Sequence, residues 1–390
     1  MKPHRLELAD VFRTHQQDFL ARWNRVLSRQ QRKALRDIRD CRTAVLGGHL
    51  YECDRCGHRV KVFNSCRNRN CPKCQASTRA RWLADREAEL LPVPYFHVVF
   101  TLPQQIGRLA LQNQRQIYTI LFQAASETLL AIAADPRHLG ASIGFLAVLH
   151  TWGQNLHLHP HLHCVVPGGG FSPDGCRWIA CRKKSFFLPY KVLSRLFRKL
   201  FLLSLGKAFD KGQLHFSGEL RDLAKPPAFH SLCQTVAKLE WIVHVKPPFG
   251  GPRRVLKYLA RYTHRVAISN HRLRALENGH VSFDWKDYAD HSRTKTMSLD
   301  AVEFIRRFLL HILPSGFVRI RQFGFLANRV RKQKLIQCRA LLAASQLPIP
   351  VDSGSTATVE DPHRCPICKR GRLVVIELIS VETFPVQDSS

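Results

Sequence analysis

Two C-x2-C pairs, Cys53 with Cys56 and Cys71 with Cys74, stand fourteen residues apart. Each pair can turn two thiolates to one side of a tight knuckle, and two knuckles supply the four sulfur ligands of a tetrahedral zinc ion. A site closed by four thiolates has no open position for substrate, so its expected role is to fold a small module that has little core of its own. Cys41, His49, His58 and Cys66 are near enough in sequence to replace a ligand or support a second ion, and spacing alone leaves those alternatives open. Cys365 and Cys368 form a third, isolated pair that could recruit Cys338 or His363 or stay as reduced thiols.

A second chemistry is written in HLHPHLHC at 157–164. Alternate residues of a strand face one way, so His157, His159, His161 and His163 would share a side, with Pro160 interrupting the ladder. His161 and His163 lead directly into the apolar Cys164, Val165 and Val166 and form the best chelating pair. Two imidazoles can hold a divalent ion and leave positions open for phosphate oxygens. Tyr258 and Tyr262 lie four apart in a helical segment, hence on one face, flanked by Arg254, Lys257, Arg261 and Arg265. Such a pair by itself most often packs a core. Beside a metal-binding histidine pair it matches attack by a tyrosine oxygen on a DNA phosphodiester, with nearby cations and metal favouring a phenolate whose ordinary pKa is about 10.

The chain that must position these groups has 390 residues, with 60 Lys and Arg against 29 Asp and Glu, a formal charge of +31. That excess points to a polyanionic partner, DNA above all. Hydrophobic residues at 45% exclude disorder as the main state. Residues 1–10 lack the apolar core of a secretion signal, so a cytoplasmic, nucleoid-associated protein with reduced thiols is expected, and its thirteen cysteines read as metal ligands and not as disulfides. The apolar stretch 119–134 is broken by Gln123 and Glu127 and reads as a buried helix, with no membrane partner. Arg59, Lys61, Arg67, Arg69 and Lys73 around the cysteine knuckles, with Lys257 and Arg261 on the tyrosine helix, are candidate DNA contacts. Phe63 is available there for base stacking.

The periodicity predicts a basic amphipathic helix or helix pair over 10–39 and a β-rich run at 96–103, ended by proline. A helix to about 134 follows, then strands at 145–150 and 157–170 with an antiparallel return at 176–182. Helices are expected at 190–205 and 228–239, a strand at 241–246, a helix from 253 and a hairpin over 272–285 turned by Glu-Asn-Gly. Asp300 with Glu303 resembles a capping box for a helix to about 313; a strand at 316–322 and a basic helix over 327–344 complete the core. Residues 347–361 are rich in Pro, Ser and Thr and read as a linker to the tail.

HPHLHCVVPGGG, YLARYTHRVAISN (258–270), GFLANR (324–329) and the module LGGHLYECDRCGHR with CPKCQ occur in one order over about 41–342. Together they resemble the insertion-sequence-91 type of rolling-circle transposase, in the superfamily of single-strand nucleases named HUH for histidine, hydrophobic, histidine. The resemblance implies an α+β fold. Its parts would be a small helical and zinc-binding, DNA-binding domain (1–92), an HUH catalytic domain with a central antiparallel sheet flanked by helices (93–346), and a linker and tail (347–390). It implies His161 and His163 as the ligands of a catalytic Mg2+ or Mn2+, Tyr258 and Tyr262 as two nucleophiles forming 5′-phosphotyrosine links, and structural Zn2+ at the cysteines. FTLP at 100–103 would be the strand beside the histidine strand. Gln154, His159 and His264 are candidates for a third metal ligand, with His159 preferred. The expected partners are the single-stranded ends of the element and target DNA, with a host helicase or replication proteins, because no phosphate-binding G-x-x-x-x-G-K-[ST] loop is present. Asn70 and Gln322 depart from the family pattern, which commonly has His at both places. The alternatives are a replication initiator or relaxase of the same chemistry, or a zinc-dependent DNA-binding protein that does not cut.

Overall fold

The computed structural model describes residues 5–75, 86–87, 89–181, 187–247, 267–288, 290–344, 361 and 363–381. Its elements in chain order begin with α1 (Leu8–Trp23), α2 (Arg29–Arg39), β1 (Gly48–Cys53), β2 (Arg59–Phe63), β3 (Tyr95–Thr101), α3 (Gly107–Gln112) and α4 (Gln114–Ala134). There follow β4 (Gly144–Trp152), β5 (Leu158–Pro167), β6 (Gly169–Phe171), β7 (Trp178–Ala180), α5 (Tyr190–Asp210), α6 (Pro226–Lys238) and β8 (Val243–Lys246). The remainder are β9 (Leu273–Glu277), β10 (His280–Asp287), β11 (Arg293–Asp300), α7 (Ala301–Leu310), β12 (Ile320–Gly324), α8 (Arg331–Ala344) and β13 (Leu373–Ile379). The fold is α+β, with sheets whose strand pairings are all antiparallel.

The chain divides into two compact units, Met1–Thr78 with Val266–Ile312 and Ser353–Ser390, and Arg79–Arg265 with Leu313–Asp352. The expected division ran in consecutive blocks (1–92, 93–346, 347–390), whereas the units interleave. Packing explains the difference. The α7 helix returns to the N-terminal helices, where Phe308 meets Phe12 edge-on at 5.6 Å between ring centroids and the Leu309 carbonyl accepts from Gln31 Nε2 at 3.0 Å. Behind it, Phe283 of β10 packs on Phe304 at 5.7 Å. The hairpin expected at 272–285 is present as β9 and β10, and β11 extends it to a three-stranded sheet. Asp300 caps α7 by accepting from the Glu303 amide at 3.1 Å.

The second unit is built on a five-stranded sheet of order β12-β4-β5-β3-β8. Strand alternation assigns its faces. Phe96, Val98 and Phe100 of β3, Phe145, Ala147 and Leu149 of β4, and Leu162, Cys164 and Val166 of β5 form one continuous core with residues of α4 and α5. There Phe100 meets Phe197 of α5 edge-on at 4.9 Å. The α4 helix, 21 residues long and apolar enough to cross a membrane by composition, is instead the central helix of this core, with Ile117, Leu121, Phe122 and Leu129 buried. On the opposite face Tyr95, Leu146, Val148 and Val165 pack under Leu335, Cys338 and Leu342 of α8. That apolar cover ends where the histidines begin.

Candidate metal centres

Every histidine of interest lies on this second face of the sheet. The residues alternating with the core set are His97 on β3, His150 on β4, and His161 and His163 on β5. Pro160 does not stop β5: it lacks an N–H, but its carbonyl still accepts from the Leu102 amide at 3.1 Å. The antiparallel register sets His161 directly across from His150 and sets His163 across from Val99 of β3. His150, His161 and His163 each offer a ring nitrogen, and these atoms lie within 4.8 Å of one another. His150 and His163 are buried and His161 partly so.

The third imidazole is therefore His150. Of the positions expected to supply it, His159 is exposed and outside the group, and His264 lies outside the described residues. The sequence carried one faint sign of His150, a histidine closing the apolar run of the neighbouring strand, but only the register brings it opposite His161. Three nitrogen donors clustered from one sheet face leave further coordination positions open. They suit a borderline transition ion, and of the two expected ions they fit Mn2+ better than Mg2+, which favours oxygen.

His97 sits behind this group. Its Nε2 is 2.8 Å from His163 Nδ1, and the two rings stack at 5.0 Å. Burial, reinforced by the charge of Lys246, pulls the His97 pKa down to about 4, so the ring is neutral near pH 7. A neutral His97 can accept from His163 Nδ1–H, which leaves Nε2 of His163 as its nitrogen for a metal. Sequence reasoning passed over His97, although it stands in the β3 run read as a strand.

The cysteines separate into two groups and not one. Cys71 and Cys74 gather with Cys41 and Cys66, whereas Cys53 and Cys56 gather with Cys365 and Cys368. The expected single site of Cys53, Cys56, Cys71 and Cys74 is thus not what the fold brings together. The C-x2-C spacing makes each knuckle, but strand pairing decides which knuckles meet: β1, which delivers Cys53, lies between β2 and β13. In the first group Cys74 Sγ is 3.6 Å from both Cys41 Sγ and Cys66 Sγ. Bonds of about 2.3 Å to a tetrahedral zinc set neighbouring sulfurs about 3.8 Å apart, so these thiols fit that ion. Asn70 is not among the ligands; its amide donates to Asn68 Oδ1 at 2.9 Å.

Of the candidate DNA contacts, Lys61 and Arg67 are exposed, and Arg59 is exposed while paired with Glu52 at 2.5 Å. Lys73 is partly buried against Glu7 at 2.5 Å, and Arg69 is partly buried. Tyr258, Tyr262, Lys257 and Arg261 lie outside the described residues.

Four-cysteine clusters that fit zinc, in a chain whose antiparallel sheet carries a three-imidazole cluster, define a class of protein with candidate metal centres of two kinds. Comparison with known proteins makes this specific. Residues 11–102 match the family described as "Transposase zinc-binding domain" and residues 144–334 match that described as "Putative transposase". The chain is 55% identical over 97% of its length, and 97% of the other's, to "Putative transposase y4qJ" of Sinorhizobium fredii. It is 30% identical over 87% of its length, and 82% of the other's, to "Transposase for insertion sequence element IS801" of Pseudomonas savastanoi pv. phaseolicola. The chain belongs to the insertion-sequence-91 family of transposases. Among solved structures, the conjugative relaxase TrwC in complex with oriT DNA is 14% identical over 43% of this chain and 71% of that one, at a TM-score of 0.23, too slight a likeness to carry anything over.

Proposed function

We propose that this transposase cuts and rejoins single-stranded DNA through a 5′-phosphotyrosine link, moving its element by a rolling-circle route. The observation that carries the reading is the cluster of His150, His161 and His163 on adjacent strands, an open nitrogen site within the stretch that matches the transposase family. A divalent ion held there would draw charge from the nonbridging oxygens of the scissile phosphate. Tyr258 or Tyr262 supplies the phenolic oxygen that attacks phosphorus; the P–O3′ bond breaks, the 3′ oxygen takes up a proton and leaves, and the 5′ phosphate stays on tyrosine. Attack by a free 3′ hydroxyl on that link restores the phosphodiester and the tyrosine. Two nucleophiles allow one to hold the element's end while the other cuts donor or target.

In this reading the zinc-bearing unit grips DNA, with Lys61, Arg67 and Arg59 as its exposed cations, and the sheet unit performs the cut. Lys257 and Arg261 would steady the phosphate beside the tyrosines. Unwinding comes from a host helicase. The test is incubation with single-stranded oligonucleotides from the ends of the element, with Mn2+ or EDTA, read on a denaturing gel. We expect a metal-dependent adduct that Tyr258→Phe and Tyr262→Phe each reduce to one class of cleavage and that the double variant lacks. Adduct surviving in the double variant would end the assignment of nucleophiles.

A further inference from the structure

The tail pair Cys365 and Cys368 lies outside both stretches matched by family, 11–102 and 144–334. It nevertheless meets the knuckle left without its expected partner. Cys53 Sγ is 3.7 Å from Cys368 Sγ, and Cys56 Sγ is 3.7 Å from Cys365 Sγ. This is close to the edge, about 3.8 Å, of a sulfur tetrahedron around zinc and far from the roughly 2.05 Å of a disulfide.

The two loops are built alike. Each runs C-x2-C into a residue with left-handed backbone, Gly57 at φ 66° and Lys369 at φ 55°. Each closes with that residue's amide donating to the carbonyl of the first cysteine, at 3.1 Å in both. Backbone amides also point at sulfur, from Arg55 to Cys53 Sγ at 3.5 Å and from Gly371 to Cys368 Sγ at 3.3 Å, which favours the thiolate form that binds metal. Asp54 stitches the loops together: its Oδ1 accepts from the Arg372 amide at 2.8 Å, and its own amide donates to the Arg372 carbonyl at 3.1 Å. Glycine at 371 permits the approach, because a Cβ there would stand 2.5 Å from Cys53 Sγ.

Burial does not hold this tail. In β13 Val374 is 52% exposed, Val375 46%, Ile376 48% and Leu378 72%, so the strand contributes ladder hydrogen bonds to β1 but little apolar contact. A strand so placed is marginal in water, and docking it closes a loop that spans most of the chain, at an entropic cost. We propose that Cys53, Cys56, Cys365 and Cys368 hold a second structural zinc ion, a clasp assembled from knuckles at opposite ends of the sequence that fastens the C-terminal tail to the N-terminal zinc domain. Four thiols release four protons as the ion binds, and no electron changes hands.

The test uses the full-length protein. Wild type is expected to release eight thiols to a colorimetric thiol reagent when a strong chelator is added, four from each centre. Release of only four, or recovery of Cys53–Cys368 and Cys56–Cys365 as disulfides, would overturn the proposal. The double variant Cys365→Ser/Cys368→Ser should hold one zinc fewer per chain by elemental analysis. It should be cleaved by trypsin at Arg370 and Arg372 at least about tenfold faster, and Cys368→His, which keeps a ligand, should restore much of that protection. A double variant with unchanged zinc content and unchanged tail protection would overturn it equally.

Discussion

The thiolate clusters and the imidazole cluster stand on opposite kinds of support. The cysteines occupy knuckles beside short strands, β1, β2 and β13, whose side chains are largely half-buried or exposed. The histidines occur where β4 is buried along its whole length and β5 nearly so, between the helices of one core and α8 of another. Four ligands close a coordination sphere and can substitute for missing core; three ligands on a sheet that has an apolar core of its own leave room for a substrate. On the proposed function, metal would serve folding in one region and chemistry in the other, and the burial of the surrounding strands is the feature that separates them.

Chelation is the strongest way to break this comparison. Structural zinc contributes on the order of 10–16 kcal/mol to small zinc modules. Stripping metal should therefore bring the β1, β2 and β13 amides to near-unfolded hydrogen exchange while β4 and β5 keep their protection. Equal loss of protection in both regions would mean that the imidazole sheet also depends on metal to fold.

A smaller effect sharpens the nitrogen side. If His97 orients His163 through the 2.8 Å contact, then His97→Phe should weaken Mn2+ binding about ten- to hundredfold in a metal titration, the range usual for partners behind a ligand. His97→Gln, which retains an acceptor, should recover much of the loss. If His97→Gln and His97→Phe weakened binding alike, packing and not orientation would be its role.

The smallest effect belongs to the cysteine-bearing unit and involves no metal. Arg306 and Arg307 pair with Glu303 at 2.6 and 2.7 Å and hold its carboxyl down to about 2. The depressed value means that this pairing stabilises α7 fully above the ordinary carboxylate range, near pH 4.5, and ceases to do so as pH falls through about 2. The groups are partly exposed, so Glu303→Gln should cost only about 0.2–1 kcal/mol at pH 7 in denaturant unfolding, and the gap between variant and wild type should close in acid.

Much of the sheet unit was legible beforehand. Alternation and apolar runs located β3, β4, β5 and α4, and FTLP does lie beside the histidine strand, with Thr101 across from His161. His161 and His163 were legible because period-two spacing is a local property. His150 and His97 were not, because their proximity depends on antiparallel register between strands that sequence cannot align. The cysteine pairing failed for the same reason in stronger form: Cys56 and Cys365 are 309 positions apart, and nothing local marks them as neighbours. The strands β2 and β13 do carry a local signal, alternation in Arg59–Phe63 and an apolar run in Leu373–Ile379, but it marks neither which strand each pairs with nor that both lie beside β1.

The most direct test of catalytic nitrogen against structural sulfur is the covalent adduct formed by His150→Ala on single-stranded element ends in Mn2+, with binding followed by fluorescence anisotropy. The variant should bind DNA within a few-fold of wild type and form adduct about 10²–10³-fold more slowly, the usual cost of removing a transition-state stabiliser. Adduct formation at the wild-type rate would contradict the account.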